Sequence, residues 1–199
     1  MLLVWFKLTN PDGSINMLDK LMHALLYLIS GFMKVKIINN ENGAPYLERY
    51  MISRKGKEVH FLHRFLDSDS DRGVHDHPWD YSRSFILAGG YNEERLVEEN
   101  GINKVILRDI RPFSTNEIRG NDFHRVVLKN QKPAWTIFYH ADRVKHWGFQ
   151  EYKFKTPTTQ EIDKIRYEDF NDKTNPNERW EDNATRGFWS KRKPLSYNL

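Results

Sequence analysis

Between residues 46 and 139, apolar and polar positions alternate in short runs broken by turn-forming residues, the texture of strands rather than helices. The candidate strands are 46–53, 59–66, 82–88, 103–110, 125–128 and 135–139, all rich in β-branched and aromatic residues. They are divided by Lys55-Gly56-Lys57, by the acidic loop Asp67 to Asp71, by Glu99-Asn100-Gly101, and by Lys129-Asn130-Gln131 ahead of Pro133. No long helix interrupts them, so an antiparallel sandwich or barrel is expected and a parallel βαβ sheet is disfavoured.

Upstream the period lengthens. Leu18, Leu21, Leu25, Leu28, Ile29 and Phe32 recur at three- and four-residue steps, which predicts a helix over 17–35 packed on the domain and capped by Ser14 or Asn16. Its apolar core is shorter than the ~20 residues a membrane span requires, and Asp19, Lys20 and His23 interrupt its start. Attachment to a membrane surface is the alternative. Met1 to Leu8 is apolar but has no basic n-region and runs into the turn Asn10-Pro11-Asp12-Gly13, so no secretory signal is expected. Residues 39–43 read as a polar connector. After residue 155 the chain turns polar: Thr156-Pro157-Thr158-Thr159 has the form of a helix start running through Arg166, and 171–186 is rich in Asn, Asp and Glu. Trp180, Phe188, Trp189 and Tyr197 are expected to anchor this tail across the domain or across a partner subunit. Lys191-Arg192-Lys193 reads as a solvated basic cluster. The expected organisation is an N-terminal helical extension (1–45), a barrel (46–155) and an extended C-terminal arm (156–199).

Composition narrows the class. The 199 residues suffice for one ordinary domain with appendages, and 14% aromatic content against 29% charged residues implies a packed core under a polar surface. A formal charge of +4, with both signs interspersed, lacks the dense basic stripe of a nucleic-acid binder. With no cysteine, disulfides, thiolate metal sites and cysteine nucleophiles are excluded. A cytoplasmic protein without nucleic-acid or membrane partners is expected.

The chemistry concentrates in Gly73-Val74-His75-Asp76-His77-Pro78-Trp79-Asp80, followed by Phe85-Ile86-Leu87 and Gly89-Gly90. On an extended chain residues i and i+2 point to one face roughly 7 Å apart, so the two imidazoles can lean onto one ion. Pro78 makes a helix interior unsuitable here. A third histidine, His124, opens the candidate strand that runs to Leu128, and in a closed barrel it can face the pair across the interior. Three neutral imidazoles leave positions free for water or substrate. The bland reading is a polar turn with nothing bound. His60 and His63 point to opposite faces of their strand, His63 reading as a core residue or a support for the ligands. His140 and His146 flank a turn. Asp80 either supplies a fourth ligand or accepts backbone N–H groups in its turn.

At these residues the chain resembles the cupin superfamily, whose first motif runs H-x-H, a short spacer, Glu, six residues and Gly, and whose second motif adds one His. His75-Asp76-His77 matches the pair, Gly89 the closing glycine and His124 the second-motif histidine. The resemblance covers Tyr46 to Tyr152. The family's glutamate position is Ser82 here, and the glycine and proline positions of the second motif are unmatched apart from the nearby Gly120. The resemblance implies an all-β fold, a cupin-type antiparallel β-barrel (double-stranded β-helix, or jelly roll). It also implies a three-histidine centre like that of enzymes similar to cysteine dioxygenase. Fe, Zn, Ni and Cu all suit imidazole, and an all-imidazole site leaves the ion's charge uncompensated, which favours anionic substrates.

For substrate contacts the sequence offers Arg64, Ser82, Tyr91 and Glu93, the last two either as acid or base at the barrel mouth or in a hydrogen bond at its rim. Arg83 and Arg125 lie off the faces of Ser82 and His124 and are expected outward. The expected function is metal-dependent chemistry on a small anionic molecule, either oxidation at an Fe(II) dioxygenase centre or isomerase or lyase chemistry at a redox-inert ion. The competing reading is a non-catalytic ligand-binding or structural cupin. Edge strands and terminal segments also suit a homodimer.

Overall fold

A computed structural model of the chain describes residues 17–40, 42–70, 73–154, 162–169, 185–186 and 192–196. The expected helix cap at Ser14 or Asn16, the turn at 10–13, the helix start at 156–159, Lys191 and the aromatics Trp180, Phe188, Trp189 and Tyr197 lie outside these residues. Among the described residues one α-helix, α1 (Met17–Ser30), precedes thirteen strands: β1 (Lys34–Asn39), β2 (Pro45–Lys55), β3 (Glu58–Phe65), β4 (Val74–His75), β5 (Tyr81–Ala88), β6 (Tyr91–Glu99), β7 (Ile102–Ile110), β8 (Thr115–Arg119), β9 (His124–Leu128), β10 (Ala134–His140), β11 (Gly148–Phe154), β12 (Ile162–Asp169) and β13 (Thr185–Arg186). Every pairing among them is antiparallel.

The strands form two sheets, β13-β1-β2-β3-β10-β5-β8 and β12-β11-β4-β9-β6-β7. Within them, the eight strands from β3 to β10 are ordered 3-10-5-8 and 4-9-6-7, first beside last in each case, which is the connectivity of a jelly roll. The fold is therefore the all-β antiparallel barrel expected from the strand pattern, with the helix at its N-terminal side. This wiring places β4 against β9, although about fifty residues separate them in the chain. Leu47, Phe65, Ile86, Tyr91, Val126 and Leu128 meet between the sheets as a core drawn from both. Gly89 turns the chain from β5 towards β6 at φ +76°, and a Cβ there would lie 2.4 Å from the Pro133 carbonyl oxygen, so only glycine fits.

The outer face of the first sheet is covered by α1 and residues 192–196, and here several expectations are corrected. The helix ends at Ser30 rather than 35, because the β-branched run Val35, Ile37, Ile38 joins the sheet as β1. The helix also packs by the opposite face from its leucine stripe. It buries Asp19, His23, Leu26, Tyr27 and Ser30, since the sheet offers polar partners: Gly89 N–H donates to Asp19 Oδ1 at 2.9 Å and Trp135 Nε1 to His23 Nδ1 at 3.1 Å. Residues 162–166 are strand, paired to β11, not helix. Arg192 is not solvated; its Nη1 donates to the Tyr27 carbonyl at 2.8 Å and to Ser30 Oγ at 2.6 Å, stapling the C-terminal segment over the helix end. Among the described residues no helix is long and apolar enough to cross a membrane.

Arg64 belongs to this outer layer. Strand alternation turns it away from His63 and the interior, its guanidinium bonding Glu48 Oε2 at 3.3 Å and the carbonyls of Lys193 and Pro194, each at 2.9 Å. It does not line the cavity that holds the three histidines, and its contacts here are structural ones. Arg64→Met leaves the buried Glu48 carboxylate without its cation. We expect a loss of about 3 kcal/mol in urea unfolding, with metal binding by the folded fraction unchanged. Unchanged stability with lost ligand binding would return Arg64 to the site.

Candidate metal centre

β4 is two residues long, and its register fixes the site: His75 pairs directly with His124 on β9. His77 follows two residues later on the same side, while Asp76 between them points the other way and is buried. The Asp76 carboxylate accepts Gly148 N–H at 2.7 Å and the Lys145 ammonium, pinning the turn to β11. A Cβ at Gly73, just ahead of β4, would lie 2.2 Å from the Gln150 carbonyl oxygen, so this close approach to β11 also needs glycine.

The three rings converge. Centroid separations are 5.1 Å for His75–His77, 4.9 Å for His75–His124 and 5.0 Å for His77–His124, and one ring nitrogen from each lies within 4.8 Å of the others. His77 Nε2 and His124 Nε2 are 2.8 Å apart, close to the ~3.0–3.4 Å expected of two nitrogens each ~2.1 Å from a shared ion. His124 Nδ1 donates to Glu93 Oε1 at 3.0 Å. That bond fixes the tautomer and turns the Nε2 lone pair towards the other two rings, the usual outer support of a ligating histidine.

Glu93 is itself over-determined. Arg95 reaches Oε1 at 3.1 Å, Arg108 reaches Oε2 at 2.8 Å and Asn116 Nδ2 donates to Oε1 at 2.7 Å. Burial alone would raise its pKa, but the bond to His124 and the charge that imidazole can carry, with the charge of Arg95 and the Asn116 amide, together lower it to about 2. The carboxylate is therefore fixed behind His124, hydrogen-bonded as one of its two expected roles has it, but in the interior rather than at the rim. On the other side, Asp69 Oδ2 lies 3.9 Å from His75 Nδ1 and accepts Val126 N–H at 2.6 Å, while Oδ1 accepts the Tyr46 hydroxyl.

Burial pushes His75 down to about 4 and His77 well below the ordinary imidazole value, the latter also repelled by His124 and His75. Both are uncharged at neutral pH, the form that can ligate. His77 stacks on Trp79 (5.2 Å), which stacks on His140 (4.2 Å). His140 is pushed down to about 4 by burial, and His146 is exposed.

The rings line a cavity of about 640 Å³ walled by Phe65, Phe138, Trp147 and Phe149, a size suited to a metabolite. Tyr91 lies in its wall, its hydroxyl accepting from Asn116 Nδ2 at 3.3 Å. Ser82 shares the interior face with Ser84, but it is buried and its hydroxyl donates to the Ile118 carbonyl at 3.4 Å, so it does not reach the cavity. Asp80 is exposed, and its carbonyl accepts Gly120 N–H. It is not in the histidine group. Arg125 points off the His124 face towards Glu94, and Arg83 is exposed.

One cavity residue, Arg49, was not anticipated, and it meets His63, which is buried as expected. Arg49 enters from β2, its Nε donating to His63 Nε2 at 3.0 Å with its guanidinium carbon 5.1 Å from the Phe61 ring centroid. Burial lowers it to about 10, still charged at neutral pH. His63 is buried against Phe138 (4.8 Å) and pushed well down by that burial and by Arg49. Arg49 could have been found by extending the inward face of β2 from Leu47, since Leu47, Arg49, His63 and Phe65 all line the cavity.

No family model matches this chain, and no curated protein matches it. Partial likeness to solved structures exists. FeII HppE gives a TM-score of 0.43 at 13% identity, covering 66% of this chain and 62% of that one. Hydroxypropylphosphonic acid epoxidase from S. wedmorenis gives 0.41 at 13%, covering 53% and 55%. HutD from Pseudomonas fluorescens SBW25 gives 0.40 at 14%, covering 54% and 56%. The chain thus spans less than two thirds of the length of each.

Two predictions follow from the geometry. Glu93→Gln weakens the hold on His124, and we expect a 10- to 100-fold loss in Zn²⁺ affinity against a chromophoric chelator; unchanged affinity contradicts the orienting role. For the metal-free protein, His63, His75, His77 and His140 are neutral when folded, while unfolded imidazoles take up protons near pH 6.5. Between about pH 6.5 and 4 the unfolded state binds more protons, so stability is full above that window and falls as pH drops through it. Melting temperatures measured between pH 7.5 and about 5 should decline; a flat profile contradicts the buried, neutral histidines.

Proposed function

We propose that this chain is a cupin that holds a divalent metal ion on His75, His77 and His124 and acts there on a small anionic molecule. The observation that carries the reading is the convergence of three ring nitrogens within 4.8 Å, two of the imidazoles neutral and the third oriented by a buried carboxylate. Such a ligand set fits a borderline divalent ion, and it supplies Lewis-acid or oxygen chemistry when loaded. Ser82, at the position of the cupin glutamate, is engaged with a backbone carbonyl, so no carboxylate joins the three imidazoles as a ligand from that position.

The chain's own residues favour an anion beside that charge. Arg49 spends only its Nε on His63 and is half-buried in the cavity wall, so its terminal nitrogens are available to a carboxylate or phosphate. The aromatic walls make the same space largely apolar. Oxidation by dioxygen with iron bound is the reaction we favour, since three protein ligands leave positions for both substrate and oxygen. A non-catalytic cupin binding the same class of ligand is the competing reading.

Elemental analysis of purified protein beside a His75→Ala, His124→Ala double variant is the test. Wild type should carry close to one equivalent of a transition metal and the variant little. Equal, trace contents in both would remove the chemistry. For iron-loaded protein, oxygen uptake in a screen of small carboxylates and phosphonates supports oxidation, and Arg49→Met should raise KM about tenfold or more with a smaller change in kcat. Ligand binding without oxygen uptake selects the non-catalytic reading.

A further inference from the structure

The face of α1 turned to solvent is apolar. Leu18, Leu21, Leu25, Leu28, Ile29 and, just past its end, Phe32 are between 40% and 83% exposed. These positions fall on one stripe of a helix, so the patch is continuous rather than scattered. Its exposure is enforced by the other face. Asp19 accepts Gly89 N–H, His23 accepts Trp135 Nε1–H, and Ser30 accepts from Arg192. Rolling the helix to bury the leucines would break these bonds and leave buried donors and acceptors unmatched. The fold therefore holds the stripe outward at the cost of hiding polar groups beneath it.

Charge says what the stripe meets. Among the described residues, the charged side chains exposed on the helix and just past its end are Lys20 and Lys34, both basic, while Asp19, the carboxylate of the helix, is buried. A second copy docking by this face in a two-fold arrangement would bring basic residues into one interface with no acidic group from either helix to meet them. An anionic lipid surface satisfies both features: acyl chains take the apolar stripe and phosphates take the lysines, whose stems can snorkel outward. The described helix is 14 residues long, about 21 Å, which fits lying in the membrane plane, and among the described residues no helix is long and apolar enough to cross a membrane. We propose that α1 docks the protein in-plane on an anionic membrane surface. The inference is independent of the metal centre and takes up the alternative of membrane-surface attachment for this helix.

The test is co-sedimentation of the full chain with phosphatidylcholine vesicles, with and without about 30% phosphatidylserine. Wild type should pellet with the anionic vesicles and more weakly with the neutral ones. Leu21→Glu, Leu28→Glu should reduce partitioning by at least about tenfold per replaced leucine, with far-UV circular dichroism and metal content unchanged because both side chains are on the surface. Lys20→Glu, Lys34→Glu should abolish the preference for phosphatidylserine and its weakening by salt. Wild type remaining in the supernatant with both vesicles overturns the proposal. If analytical ultracentrifugation then shows a dimer that Leu21→Glu, Leu28→Glu dissolves, the face belongs to a second copy. Equal pelleting of wild type and the leucine variant also overturns it.

Discussion

The pairing of residue 75 with residue 124 across β4 and β9 is the constraint on which the interior depends. β4 has two residues and one paired position on β9, so one step of slippage would send both histidines outward and Asp76 inward. The register is protected from both sides. Asp76 is bonded to Gly148 and Lys145 behind the strand, and Gly73 admits the Gln150 carbonyl where no other residue would. Glu93, held by two arginines and an asparagine, then fixes the ring of His124. A polar network of this density in a barrel interior is costly unless every member is matched. Here it sets the direction of one lone pair.

The first sheet shows the same logic on its two faces. Inward, β2 and β3 deliver Arg49 and His63 to the cavity; outward, the alternate residues Glu48 and Arg64 form a buried ion pair capped by the carbonyls of Lys193 and Pro194. The cavity and the helix seat thus share the same strands, one residue apart. A change at Glu48 or Arg64 acts on the seating of α1 and the C-terminal segment, whereas a change at Arg49 or His63 acts on the cavity.

Much of the fold was legible where alternation was hydrophobic. β2, β3, β5, β7, β9 and β10 lie within a few residues of their expected bounds because each places apolar side chains on one face. β6 was not recognised as a strand, for an instructive reason: its inward residues Tyr91, Glu93 and Arg95 include two charged groups, so the pattern reads as surface. β8 is short and sends Asn116 inward beside Ile118. The helix was found from its period, but period does not say which face is buried, and here the polar one is. The histidine trio was legible because H-x-H on an extended chain has a fixed geometry. Arg49 was not, since an arginine between Glu48 and Tyr50 carries no local mark of which side it faces.

The central claim is that His75, His77 and His124 form one metal centre. The most direct measurement is anomalous diffraction at the metal's absorption edge from crystals of the purified protein. The account predicts one strong peak about 2.0–2.2 Å from a nitrogen of each of the three rings. A peak elsewhere, or rings left hydrogen-bonded to one another in metal-saturated crystals, would contradict it.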